Sequence, residues 1–252
     1  MIRRLNALWC VLGLVGFSLL PCPADTATAP APAAAPLEAT KARPPSDPVY
    51  LTGKEEAWAK FPKAPAPGSD VDQQDLKTTL TLQASRTEEQ KKEAVADKKY
   101  SITLVTDVID PAFATKYPNV YAVLDQADKD GYYVIATIKE QNARLRPYEQ
   151  HPDVVHSLYP TGGFSYPSGH ATGSELEARL LATLFHANGQ DALLLKRAQQ
   201  IADSRVVAGV HYASDVKAGE DLGDQLFAAL EANAKFTAAL AVAAKADNVP
   251  TP

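Results

Sequence analysis

Along the second half of the chain, apolar residues recur every three to four positions, the period of one face of an α-helix. Leu176, Leu180 and Leu184 stand at i, i+4 and i+8, and Leu181 and Phe185 widen the stripe. Leu194, Ala198, Ile201 and Arg205 share a second face, so a guanidinium projects from the end of a buried stripe. A third stripe, Leu222, Leu226 and Leu230, belongs to a helix starting near Ser214, and Gly219 and Gly223 on it would let a neighbouring helix come close. Upstream, Ile135, Ile138, Asn142 and Leu145 mark the inward side of residues 119–145, which read as one or two helices with a candidate break at Asp130-Gly131 and a stop at Pro147. Residues 101–116 carry Ile102, Leu104, Val105, Val108 and Ile109 in a run too short for periodicity to separate strand from helix; the helical neighbours favour helix. Residues 70–97 are polar and short of Gly and Pro, which predicts surface helices, and Ser85-Arg-Thr-Glu88 fits a capping box. Residues 232–252 are Ala-rich and predict a peripheral helix with a frayed tail. The expected class is all-α: one helical-bundle domain over residues 49–245, a tail at 246–252, and a site between core helices.

The first quarter does not fit that pattern. Residues 1–24 read as an export signal: Arg3 and Arg4 supply the charge, Ala7 to Leu20 an apolar run too short to span a bilayer, and Cys22-Pro23-Ala24 a cleavage site. This predicts a periplasmic protein. Lipid anchoring at Cys22 fits less well, because Pro21 sits where a small residue is wanted. Residues 25–48, rich in Ala, Pro and Thr, predict a disordered linker. Both cysteines, Cys10 and Cys22, lie in the leader, so the cleaved chain would carry no thiol for a disulfide, a metal or catalysis. Removing Arg3 and Arg4 takes the formal charge from −5 to −7, which argues against nucleic acid as a partner. No later apolar run reaches membrane-spanning length.

Chemistry concentrates between Lys139 and Asp215. Lys139 is followed seven residues later by Arg146-Pro147; seven residues are nearly two helical turns, which predicts both cations on one face about 10 Å apart along the axis. Ser168-Gly169-His170 follows a proline and precedes a helix, a place where backbone N–H groups and the helix dipole favour an anion. Arg205, His211 and Asp215 form the third cluster, in which a carboxylate four residues from the imidazole can fix its tautomer. Singly, each cluster has an ordinary reading: a solvated basic face, a helix cap, a surface ion pair. Jointly they supply cations, two histidines, a carboxylate and a Ser-Gly turn, an inventory suited to holding a tetrahedral oxyanion and doing nucleophilic and acid–base chemistry on it. His151, His156 and His186 stand outside the clusters and read as surface or structural.

The three clusters in this order, Lys-x6-Arg-Pro, Pro-Ser-Gly-His and Ser-Arg-x5-His-x3-Asp, resemble the phosphate-site signature shared by type 2 phosphatidic acid phosphatases, bacterial class A acid phosphatases and vanadium haloperoxidases. The length and flanks are most similar to the class A non-specific acid phosphatases, from about Tyr50 to Ala244: Ala64-Pro-Ala-Pro-Gly-Ser69 looks like that family's Pro-rich entry and Ser165 to His170 its central segment. Phe164, Ala171 and Tyr212 depart from the family's usual Gly, Thr and Trp and leave the leaving-group pocket open. The resemblance implies the helical fold of that superfamily and a metal-independent phosphomonoesterase with no cofactor. Lys139, Arg146, Ser168, Gly169 and Arg205 would bind phosphate, His211 would be the nucleophile, Asp215 its orienting carboxylate and His170 the general acid and base. Small phosphomonoesters are the implied substrates, with vanadate or phosphate as inhibitors; a homo-oligomer stays open. Two alternatives remain at this point: a vanadate-dependent haloperoxidase, since vanadate mimics the same anion, and a non-catalytic phosphate-binding protein, which would not require both histidines and Asp215.

Overall fold

A computed structural model describes residues 47–52, 58–186 and 189–249; the expected export segment and nearly all of the linker lie outside them. Among the described residues the regular elements are helices: α1 Asp70–Ser85, α2 Glu88–Ala96, α3 Thr103–Thr106, α4 Phe113–Lys116, α5 Pro118–Asn142, α6 Pro147–Gln150, α7 Gly169–Leu184, α8 Asp191–Val207, α9 Ala213–Glu231 and α10 Ala234–Ala246. No single described helix is long and apolar enough to cross a membrane.

At the centre is α7, packed most extensively on α8 and α9, with α5 across it. Of its expected stripe, Leu184, in the last turn, is half-buried against the core, while Leu176, Leu180, Leu181 and Phe185 are all 2 % exposed or less. The same holds for Leu194, Ala198, Ile201 and Arg205 on α8 and for Leu222, Leu226 and Leu230 on α9. Phe185 closes the far end of α7 against Phe113 and Tyr117, with ring centroids 5.6 and 5.2 Å away. Aromatic pairs at this spacing add about 0.5–1.5 kcal/mol each beyond their buried area.

The glycines of α9 set the closest helix contact. A Cβ on Gly219 would lie 2.5 Å from the Ser168 carbonyl oxygen, and one on Gly223 would lie 2.8 Å from that of Thr172. Only hydrogen at these positions lets the N-terminal turns of α7 and α9 meet backbone to side. Between α8 and α9, Gly209 (φ +71°) takes the left-handed conformation that reverses the chain after Arg205.

Several local expectations are corrected. α5 runs unbroken through Asp130-Gly131. Gly131 is a packing position, where a Cβ would touch Leu226 Cδ1 at 3.4 Å. The Asp130 carboxylate accepts the N–H groups of Val49, Tyr50 and Leu51 at 2.5–3.1 Å, anchoring the first described segment on α5. At its other end α5 stops at Asn142, with Ala143 in the left-handed region (φ 47°). Leu145 is therefore 48 % exposed rather than part of the inward stripe. The capping box lies two residues later than expected: Thr87 caps α2 and Gln90 closes the reciprocal bond. Residues 101–116 hold two one-turn helices with a turn between them.

Candidate active site

The clusters converge on one cavity of about 560 Å³ lined by Lys139, Arg146, Gly169, His170, Arg205 and His211 among others. They arrive by different routes. Lys139 sits in the last turn of α5, and its Nζ donates to the carbonyls of Phe164 (2.5 Å) and Ser165 (3.1 Å). Arg146 is not on that helix, contrary to the shared-face expectation. It follows the Ala143 turn and is extended (ψ 156°), as a residue before proline prefers. Its guanidinium crosses the loop beneath the cavity, donating to the carbonyls of Gly162 (2.8 Å), Gly163 (3.0 Å) and Val210 (2.8 Å). Arg205 ends the buried stripe of α8 and is held by the Tyr159 hydroxyl (2.8 Å), the Ala94 carbonyl (3.0 Å) and the Ser204 hydroxyl.

His211 is buried just before α9. Arg146 Nη1 lies 3.1 Å from its Nε2. A guanidinium can only donate, so Nε2 carries the lone pair and Nδ1 the proton. That Nδ1 faces Ser165 Oγ at 3.4 Å and Asp215 Oδ2 at 3.6 Å. The direct carboxylate distance is too long for a hydrogen bond, and Ser165 fills the gap by donating to Asp215 Oδ2 at 2.5 Å. Asp215, fully buried in the first turn of α9, also accepts the Tyr212 N–H at 2.8 Å. Burial pushes its carboxyl up, but His211, Arg144 and Ser165 outweigh it and bring it down to about 2. The His211 imidazole is pushed well below its usual value, by burial first and the Arg146 charge second. It is therefore neutral at ordinary pH, with a free nitrogen turned to the cations.

His170 stands across the cavity in the first turn of α7. Its Nε2 lies 3.0 Å from the Asp97 carbonyl, and Tyr100 packs edge-on at 5.5 Å. Burial, then Arg205, lower it to about 3. Lys139 is also lowered well below an ordinary lysine, by burial and then by Arg146. The site thus brings together cations that repel one another and two uncharged imidazoles, an environment that an anion would relieve.

No protein-family model matches the chain. It is 29 % identical to a non-specific acid phosphatase of Salmonella typhi over 206 residues, covering 76 % of this chain and 81 % of that one. It is 31 % identical to an acid phosphatase of Zymomonas mobilis subsp. mobilis over 132 residues, 51 % of this chain and 49 % of the relative. In fold it is similar to a bacterial vanadium-dependent iodoperoxidase, with a TM-score of 0.56 and 20 % identity over 68 % of this chain and 53 % of the other. The chain is related to the bacterial non-specific acid phosphatases.

Within this acid phosphatase relative, Ser168 stands apart from the other sequence-selected residues. Its hydroxyl caps α7, its own N–H donates to the Asp215 carbonyl at 2.9 Å, and it is fully buried outside the cavity lining. The N–H groups of Gly169 and His170, in the first turn of α7, have no intrahelical acceptor and are the donors available to an anion. Two residues that contact the His211–Asp215 pair escaped the sequence reading. Ser165 bridges His211 and Asp215. Arg144, buried, donates from Nη1 to Asp215 Oδ1 at 2.8 Å. Of the three positions where the sequence departs from the acid phosphatase pattern, Phe164 lines the cavity and Tyr212 lies under the Arg144 guanidinium at 4.1 Å. His186 pairs with Asp191 at the surface, and among the described residues no group of three or more His, Cys, Asp or Glu is placed to hold a metal ion.

Proposed function

We propose that this chain hydrolyses phosphomonoesters through a phosphohistidine on His211, without a metal. The observation that carries the reading is the polarity of His211: Nδ1–H toward the Ser165–Asp215 side and Nε2 toward the cationic cavity. A phosphoryl group entering the cavity meets Lys139, Arg146, Arg205 and the N–H groups of Gly169 and His170, and its oxygens take over the Arg146 N–H now aimed at Nε2. The freed lone pair attacks phosphorus as the P–O bond to the leaving group breaks. The cations face the equatorial oxygens, where transition-state charge lies. His170 protonates the departing alkoxide. It then takes a proton from the water that attacks phosphorus, and the N–P bond breaks to release phosphate.

His170 at about 3 would be uncharged in the empty site. The phosphoryl anion raises it, and a monoanionic ester brings the needed proton, which favours an acidic optimum. The iodoperoxidase likeness concerns fold alone and favours no second reading.

Release of p-nitrophenol from p-nitrophenyl phosphate is the first test. His211→Ala should lose at least ~10³-fold in kcat, the order expected for removing a nucleophile. Labelled substrate quenched in alkali should leave label on the wild-type protein, while acid quench should lose it. A stable phosphoserine, or activity that collapses on chelation and returns with a divalent ion, would sink the proposal.

A further inference from the structure

We propose that Arg144, clamped by Asp72 and Asp75 of α1, is the positioning residue of the His211–Asp215 pair. Its guanidinium makes four hydrogen bonds at fixed angles. Nη1 donates to Asp215 Oδ1 (2.8 Å) and Ser214 Oγ (2.8 Å); Nη2 donates to Asp72 Oδ1 (3.0 Å) and Asp75 Oδ2 (2.9 Å). Tyr212 covers its face at 4.1 Å, and it is 7 % exposed.

Each aspartate is itself fixed. Asp72 accepts the Gly68 N–H at 2.9 Å, which ties in the Pro-rich entry. Asp75 accepts the Ser214 N–H at 3.0 Å and the Ser214 hydroxyl, which ties in the start of α9. The links run without a gap from Gly68 through Asp72, Arg144 and Asp215 to Ser165 and His211.

Two physical effects follow. The first is geometric. Asp215 Oδ2 serves Ser165, Tyr212 and the Nδ1 side of His211, while Oδ1 has Arg144. Without Arg144 the carboxylate could turn about its Cβ–Cγ bond and exchange its oxygens. The imidazole, its tautomer still set by Arg146 at Nε2, would then lose the fixed oxygens that orient its Nδ1–H.

The second is electrostatic. One guanidinium is shared among three carboxylates, so it cannot neutralise Asp215 alone. The surplus negative charge faces His211, where a phosphorylated imidazole would be cationic. The aspartates of α1 thus keep Arg144 as a hinge pin for Asp215 rather than its private counter-ion. Lysine, with one compact charge, cannot span the same acceptors.

The kinetic part rests on the phosphatase reading, so the experiment includes a measurement that needs no turnover. In folded Arg144→Gln and Arg144→Lys, kcat should fall roughly 10- to 100-fold, the range for losing a group that orients a site ligand. KM and vanadate inhibition should move less than about threefold, because Lys139, Arg146 and Arg205 are untouched. Asp72→Asn, the milder change should the arginine variants not fold, should give a smaller loss in the same parameter. With 15N-labelled histidine, the wild-type His211 Nδ1–H should give one sharp downfield proton signal, and the Arg144 variants a broadened one shifted upfield. An unchanged Nδ1–H signal, an unchanged kcat, or anion affinity falling in step with kcat would overturn the proposal. A wild-type protein inactive on every ester would defeat the phosphatase reading and leave the Nδ1–H comparison standing.

Discussion

Asp128 is a carboxyl on the lining of the same cavity as Lys139, Arg146 and Arg205. Burial first, and Asp125 second, raise it to about 7. Below that pH it is neutral and harmless to a phosphate; above it, the carboxylate repels the substrate. KM should therefore climb on the alkaline side, by roughly three- to tenfold at the effective dielectric of a partly open site. Asp128→Asn should flatten that climb while matching wild type below pH 6, which KM profiles from pH 5 to 8.5 would reveal. A climb that persists in the variant assigns it to the histidines or the ester. The neighbouring carboxyl, Glu177 on α7, is fully buried, and neither oxygen has a hydrogen-bond partner among the described residues. Burial, then Asp128 and Asp125, push it far above an ordinary glutamate, which favours its neutral form.

At the scale of elements, the contact of α9 on α7 decides how far His211 lies from the α7 turn that carries His170. Gly219→Ala would drive a methyl group against the Ser168 carbonyl, 2.5 Å away, and helix backbone cannot yield as a side-chain tip can. The expected cost is on the order of 2 kcal/mol, typical of overpacking. Activity should drop further than the folded fraction does, because the two halves of the site part; thermal melts beside kcat would separate the effects. This contact was legible in the sequence: two glycines four apart on a leucine-striped helix have few other uses. The stripes of α7 and α8 were legible for the same reason, since strong periodicity over four turns leaves little choice. What could not be read was the end of α5. Nothing in Asn142-Ala143-Arg144 announces a left-handed alanine, so Arg146 was set one helical face too simply, although by its different route it lines the same cavity as Lys139. Arg144 was hidden differently. It falls in the unspecified gap of the Lys-to-Arg motif, and its partners Asp72 and Asp75 are about 70 residues away, in a helix whose polarity reads as surface. Ser165 opens the segment matched to the family, yet no sequence signal named His211 and Asp215 as its partners.

Across the whole molecule, buried groups set opposing pH dependences. His170 and His211 are lowered on folding, so the unfolded chain binds more protons in that range. Their contribution to stability is present above the unfolded value near ~6.5 and is lost as pH falls below it. Asp128 and Glu177 are raised, so the folded chain holds the extra protons. Their contribution is present at low pH and is lost as pH rises. The two sets oppose each other between the ordinary carboxyl and histidine ranges. Glu177→Gln, a neutral isostere of the protonated acid, removes one carboxyl term. Its stability relative to wild type should therefore rise with pH, by up to about 1.4 kcal/mol per unit. Denaturant melts of both proteins from pH 5 to 8 would show it; parallel curves would mean that Glu177 is ionised in the fold.

The cations beneath the cavity have a consequence for the end of the reaction cycle. Lys139, Arg146 and Arg205 are crowded and desolvated, and Lys139 is lowered by burial and by Arg146, so their mutual repulsion is costly. Any small tetrahedral anion relieves it, and free phosphate is one. The exit of phosphate restores the repulsion that its arrival removed. For good leaving groups the slow event should then be product escape or hydrolysis of the phosphohistidine, not its formation. Rapid-mixing assays with p-nitrophenyl phosphate should show a burst of nitrophenol close to one per site, and millimolar phosphate should inhibit by competing for the empty cavity. A linear start with no burst would mean that the site lets go more readily than its charge suggests.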